Sequence, residues 1–173
     1  MSNRKEIVIK DSCILFDLID LELMSDFFKL ELEILTTPQV IDEITDGVQM
    51  DIVTKYIGEN KLIVEKNGSL ESIQSIYDEC LGLSYPDSSV LELAIRIGAV
   101  VLSSDKSLRN EVVRRNLIVR GVLWIIDELV NLNIISIEQA LVKLNLYSQI
   151  NKRAPISEIQ KLIHKYKILQ NGN

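Results

Sequence analysis

The alternation of apolar and polar positions divides the chain into short, nearly continuous apolar runs and longer stretches of helical spacing. The runs at 6–10 (EIVIK), 34–37 (ILTT), 61–66 (KLIVEK), 99–103 and 117–119 read as strands. Between them, Leu, Ile and Phe recur three and four apart over 12–30, which predicts one or two short helices. The same period predicts helices over 86–97, 105–115, 121–132, 137–150 and 157–169. Punctuation adds three more. Thr37 and Pro38 read as the N-cap and first position of a helix running to Asp46, where Gly47 stops it. VQMDIVTKYIG predicts a helix ending at Gly58, and SLESIQSIYDECLG one ending at Gly82. Strands therefore alternate with helices, and apolar strands in such a series predict an α/β fold with a parallel sheet covered on both faces.

At 173 residues and 47% hydrophobic content, with seven Gly and three Pro, the chain suits one compact body without a linker or repeat. The start, MSNRKEIVIKDSC, lacks a signal-peptide apolar stretch, and every later apolar run falls short of the roughly 18 residues a membrane span needs. The expectation is a soluble, cytoplasmic protein with no membrane association. Cys13 and Cys80 then read as reduced, buried thiols. Charge is uneven: residues 1–100 carry a net −11 and residues 101–173 a net +5. That balance excludes nonspecific coating of nucleic acid, yet a basic C-terminal third can steer a polyanion towards an acidic, metal-neutralised centre. Solvated helix faces explain the same charges.

Four acids stand at the edges of apolar segments: Asp11, Glu43, Asp87 and Asp105. Asp11 follows EIVIK and Asp105 follows AVVLSS, so both lie just past a predicted strand, at the end of an open α/β sheet where sites form. On helix 86–97, Asp87 falls on the stripe of Leu91, Leu93, Ala94 and Ile97, with Glu92 on the opposite, solvent side. Glu43 borders the stripe of Val40, Ile41 and Ile44, and Asp42 faces water. Each acid has a structural alternative. Ser84-Tyr85-Pro86-Asp87 fits a capping box, Asp105 and Asp11 fit helix caps, and Glu43 fits an ordinary exposed acid. As a set of four they point to a hard divalent cation, because carboxylate oxygens suit Mg²⁺ or Mn²⁺ and phosphodiester hydrolysis needs the phosphate charge neutralised.

Other chemistries lack footing. The chain has no GxGxxG, no Walker A string and no CxxC pair. His164, the only histidine, reads as a surface residue of the last helix, and Trp124 as core. Aspartyl-phosphate phosphatases need a second Asp two residues after the first, where this chain has Cys13.

From about residue 6 to 130 the chain resembles the PIN-domain ribonucleases. Asp11-Ser12 resembles the family's opening Asp with Ser or Thr, and TPQVIDEI its helix-borne Glu after a proline, pointing to Glu43. LSYPDSSVLELAIRIGAVVL resembles the segment of its third acid, Asp87. Ser103-Ser104-Asp105 resembles its Thr-x-Asp turn, with Ser103 keeping the hydroxyl. The resemblance implies a three-layer α/β/α PIN-like fold in which the four acids bind one or two Mg²⁺ or Mn²⁺ ions and cleave RNA by a metal-activated water. In that reading Asp11, Asp87 and Asp105 form the metal set, with Asp11 and Asp105 its direct ligands. Asp87 and Glu43 complete the pocket as ligands or by orienting water, and Ser12 and Ser103 support it. Arg109 and Arg115 would meet RNA phosphates. The resemblance also implies a toxin of the VapBC type, a small antitoxin partner and a homodimer. Residues 1–135 are then the catalytic domain and 136–173 a C-terminal helical extension packed on it. The alternative is a catalytically idle PIN-fold protein that binds or scaffolds a partner, against which the presence of all four acids argues.

Overall fold

The computed structural model describes residues 6–9, 12–66 and 68–171. Among these residues five parallel strands, β1 (Glu6–Ile9), β2 (Glu33–Thr36), β3 (Ile63–Val64), β4 (Val100–Leu102) and β5 (Val119–Arg120), pair in the order β3-β2-β1-β4-β5. Ile7 lies opposite both Ile34 and Val100, and Ile9 opposite Leu102. After β1 the chain builds one half of the sheet, and after β4 the other. The order therefore reverses between β1 and β4, where open sheets of this kind form a crevice at their carboxyl ends.

The helices are α1 (Ser12–Asp20), α2 (Met24–Phe27), α3 (Pro38–Asp42), α4 (Gly47–Gly58), α5 (Leu70–Glu79), α6 (Tyr85–Ile97) and α7 (Lys106–Arg114). Beyond the sheet follow α8 (Val122–Asn131), α9 (Ile137–Ile150) and α10 (Ile156–Asn171). The chain groups into two compact units, Met1–Phe16 with Glu31–Gly121, and Asp17–Leu30 with Val122–Asn173. In the first, a core of Leu35, Val40, Ile76, Val90, Leu91, Ala94, Val101, Leu108 and Val112 joins β2, β4, α3, α5, α6 and α7. In the second, Ile125, Ile126, Leu129, Leu144, Ile159 and Tyr166 are buried. Among the described residues no helix is long and apolar enough to cross a membrane.

Four expectations from the pattern fail, each for a local reason. The helix expected to run from Pro38 to Asp46 ends at Asp42, and Gly47 opens α4 rather than stopping its predecessor, because the Asp46 side chain accepts the Gln49 N–H at 2.9 Å and starts a new helix. Glu92, expected in water, is only 8% exposed. α6 carries a run of buried residues from Asp87 to Ala94, with α5 packed along it, and a Cβ on Gly68 would come within 2.6 Å of Glu92 Oε1. A one-face helical pattern does not describe a helix covered on more than one side. Trp124 is half-buried, since the inward stripe of α8 is Val122, Ile125, Ile126 and Leu129, and Trp124 instead lines a cleft with Leu123, Leu162 and Lys165. Cys13 is exposed, off the α1 face that buries Ile14, Leu15 and Leu18, while Cys80 is buried and neither forms a disulfide.

Candidate active site

The crevice end of β4 is built from three consecutive residues. Ser103 is fully buried and its N–H donates to the Arg120 carbonyl at 3.0 Å, extending the pairing of β4 with β5 by one residue. Its Oγ accepts the Asp105 N–H at 3.0 Å, closing the turn across Ser104. Asp105 then caps α7: its backbone is extended (φ −74°, ψ 126°) and Oδ1 accepts the Leu108 N–H at 2.9 Å. The cap occupies Oδ1, leaving the second carboxylate oxygen outside it. Asp105 thus fulfils its structural alternative without spending the whole group.

Asp87 is 4% exposed in the first turn of α6. The predicted capping box forms, with the Ser84 N–H donating to Asp87 Oδ2 at 3.0 Å and the Asp87 N–H donating to Ser84 Oγ at 3.2 Å. What the sequence did not reveal is how that turn is held. Thr37, directly after β2, caps α3 and shares a 2.7 Å hydrogen bond with Ser89 Oγ, which also lies 2.7 Å from the Pro86 carbonyl. This buried hydroxyl pair fastens the first turn of α6 to the carboxyl end of β2, and so brings Asp87 to the crevice side of the sheet. Ser89→Ala should lower stability by about 1 kcal/mol, the usual scale for a lost hydrogen bond. Denaturant unfolding checks it, and a change within about 0.3 kcal/mol would deny the pair any holding role.

Glu43 is exposed at the C-cap of α3, with Asp42 exposed beside it. Asp11 lies outside the described residues, as does the Ser12 side chain. Among the described residues no three His, Cys, Asp or Glu side chains group closely enough to hold a metal ion, so Glu43, Asp87 and Asp105 do not form such a group by themselves. The donor chemistry still suits a hard divalent cation. Asp87 and Asp105, both at the carboxyl end of the sheet, offer only oxygen.

The two arginines expected at RNA are engaged within the fold. Arg109 Nη1 donates to the Ser103 carbonyl at 2.7 Å and the Arg120 carbonyl at 3.2 Å. Arg115 lies 3.5 Å from Glu79 and 3.8 Å from Glu111, with Nη2 3.6 Å from Cys80 Sγ. Beside it, Glu111 also accepts from Arg114 at 2.7 Å, and that bond holds its carboxyl below the usual range. His164 is exposed on α10, as expected.

A five-stranded parallel sheet with its reversal between β1 and β4, flanked by helices, is the fold expected of a PIN domain. The family model described as DUF3368, PIN domain, matches residues 7–167, and the chain belongs to that family. The match runs into α10, past the 6–130 stretch in which the motifs were legible. Among solved structures, the crystal structure of PAE2754 from Pyrobaculum aerophilum is similar in fold, with a TM-score of 0.50 and 16% identity over 72% of this chain and 96% of that one. No curated protein matches the sequence. PIN domains are generally nucleases and usually use divalent metals, which gives the class of chemistry this fold serves.

Proposed function

We propose that the protein is a metal-dependent endoribonuclease that hydrolyses RNA phosphodiester bonds at the carboxyl ends of β1 and β4. The observation that carries the reading is Asp105: a part-buried carboxylate just past β4, at the strand reversal, with its turn locked and one oxygen outside the cap. Asp11, which follows β1 in sequence, and Asp105 would hold a Mg²⁺ or Mn²⁺ ion directly, with Asp87 and Glu43 as further ligands or orienting water. Such an ion, when bound, neutralises phosphate charge and lowers the pKa of water. The chain's own residues do the rest. The Ser84 box fixes the Asp87 carboxylate before substrate arrives, Ser103 supports the Asp105 turn, and Ser12, next to Asp11 in sequence, would support the site from that side. Arg115 offers positive charge to RNA phosphates, and the net +5 of residues 101–173 favours approach of the polyanion. A toxin role with a small antitoxin, and a homodimer, belong to the same proposal and rest on the resemblance to VapBC-type toxins alone.

One observation favours the idle, partner-binding alternative: Asp87 and Asp105 both serve as helix caps, so the fold alone gives reason to keep them. Metal decides between the two. Mn²⁺ or Mg²⁺ should raise the melting temperature, by an amount equivalent to about 2.7 kcal/mol at a hundredfold excess over Kd. Purified protein should cut single-stranded or loop-containing RNA with either ion and stop on addition of EDTA, while Asp42→Asn stays active. Glu92→Gln, once its burial against Arg96 and Gly68 is seen, is no neutral control. Cleavage that survives EDTA would overturn the assignment of the acids. The absence of both cleavage and a metal-induced shift would favour the binding protein.

A further inference from the structure

On α7 two arginines behave differently. Arg114 extends outward, its side chain 62% exposed and paired with Glu111 one turn back. Arg109 turns inward and places Nη1 between two main-chain carbonyls, that of Ser103 at 2.7 Å and that of Arg120 at 3.2 Å. These carbonyls lie at the carboxyl ends of β4 and β5, where the strand pairing stops. A guanidinium supplies them with charge-assisted donors that water would otherwise provide. The Ser103 carbonyl belongs to the residue whose hydroxyl accepts the Asp105 N–H, and the Arg109 N–H itself donates to the Asp105 carbonyl at 3.0 Å. Side chain and backbone of Arg109 thus grip both ends of the turn that carries the Asp105 carboxylate.

We propose that Arg109 is a positioning residue: through the Ser103 and Arg120 carbonyls it holds the Ser103–Asp105 turn rigid and so presets the Asp105 carboxylate. The inference deepens the nuclease reading of Asp105 and rests on it for its catalytic consequence. An RNA contact made by the same side chain would act through substrate affinity, whereas a strap acts through the reacting carboxylate. The two are separable by kinetics.

The test compares wild type with Arg109→Ala, Arg109→Lys and, as a control on the same helix, Arg114→Ala. Arg109→Met, which keeps the aliphatic stem, replaces Arg109→Ala if the latter does not fold by circular dichroism. The first readout is hydrogen exchange at the Asp105 amide, followed by NMR without metal or RNA. Loss of the strap should accelerate it about tenfold or more, because local opening no longer breaks the carbonyl contacts. The second readout is the kinetics of metal-dependent RNA cleavage. kcat should fall about 10- to 100-fold, the scale for residues that orient a metal-site ligand. KM and the salt dependence of RNA binding should stay unchanged. Lys should restore part of both losses, since its ammonium donates to the same carbonyls, and Arg114→Ala should match wild type. Unchanged exchange at Asp105 would overturn the proposal. So would a raised KM with constant kcat and a salt slope flatter by about one unit, which is the signature of a phosphate contact. If the wild type cuts no RNA, the nuclease reading fails on its own, and exchange at Asp105 still decides whether Arg109 is the strap.

Discussion

Asp105→Asn should abolish RNA cleavage, by about three orders of magnitude or more, while leaving the protein folded and at least as stable as wild type. Members of a catalytic set that acts as a unit cost nearly everything when removed singly, so adding Asp11→Asn or Asp87→Asn to Asp105→Asn should cost little more. The stability half of the expectation comes from the cap. Asn accepts the Leu108 N–H about as well as Asp does, so the start of α7 survives. In the proposed site, removing one negative charge should also relieve repulsion among the acids in the metal-free protein, and the stabilisation by Mg²⁺ or Mn²⁺ should vanish with it. Asp105→Ala separates the roles: it should lose cleavage equally and also cost about 1 kcal/mol for the missing cap. Equal metal-induced shifts in melting temperature for wild type and Asp105→Asn would remove Asp105 from the metal site. Retained cleavage would leave it a cap and nothing more.

The largest stability effect should come from Tyr166 of α10, which is fully buried and donates its hydroxyl to Asp127 Oδ1 on α8 at 2.8 Å. Tyr166→Ala should cost about 3–5 kcal/mol, the range for emptying a buried aromatic site. Tyr166→Phe should cost about 1.5 kcal/mol, the low end for a bond to a charged acceptor, because Lys165 at 2.8 Å still partners Asp127. Burial first, and the Asp127 carboxylate second, push the Tyr166 hydroxyl well above its ordinary range. The sign follows. Below about pH 10 the phenol is protonated in both folded and unfolded chains, and its contribution is fully present. Above that, the unfolded chain loses the proton first, so stability falls as pH rises. Denaturant unfolding from pH 8 to 11 should show a decline that is smaller in Tyr166→Phe. Identical slopes in the two proteins would place the titrating group elsewhere.

How much of this was legible beforehand differs between the elements and the site. Local rules sufficed for the helices from α8 onward. Expected spans of 121–132, 137–150 and 157–169 correspond to Val122–Asn131, Ile137–Ile150 and Ile156–Asn171, because long amphipathic periods repeat over several turns and average out single ambiguous residues. The caps by Thr37 and Asp105 and the box of Ser84 with Asp87 were equally readable, since capping partners lie within three residues of each other. The four acids were recognisable from their positions beside apolar runs and from the PIN resemblance.

The sequence by itself therefore determined the alternation of strands and helices, the parallel α/β class and the candidate acids, because these depend on periods and contacts a few residues long. Tertiary structure alone decided what each polar side chain does there. The order β3-β2-β1-β4-β5 put the reversal between the strands that precede Asp11 and Asp105, a fact of strand pairing across ninety or more residues. Packing of α5 and the Gly68 loop along α6 buried Glu92, which the helical period had assigned to water. Ser89 reached Thr37 across 52 positions, and Arg109 reached the end of β5, eleven residues on, instead of solvent. No local pattern encodes such contacts. They exist because folding brings unsatisfied carbonyls and hydroxyls together, and whichever donor lies within reach must answer them.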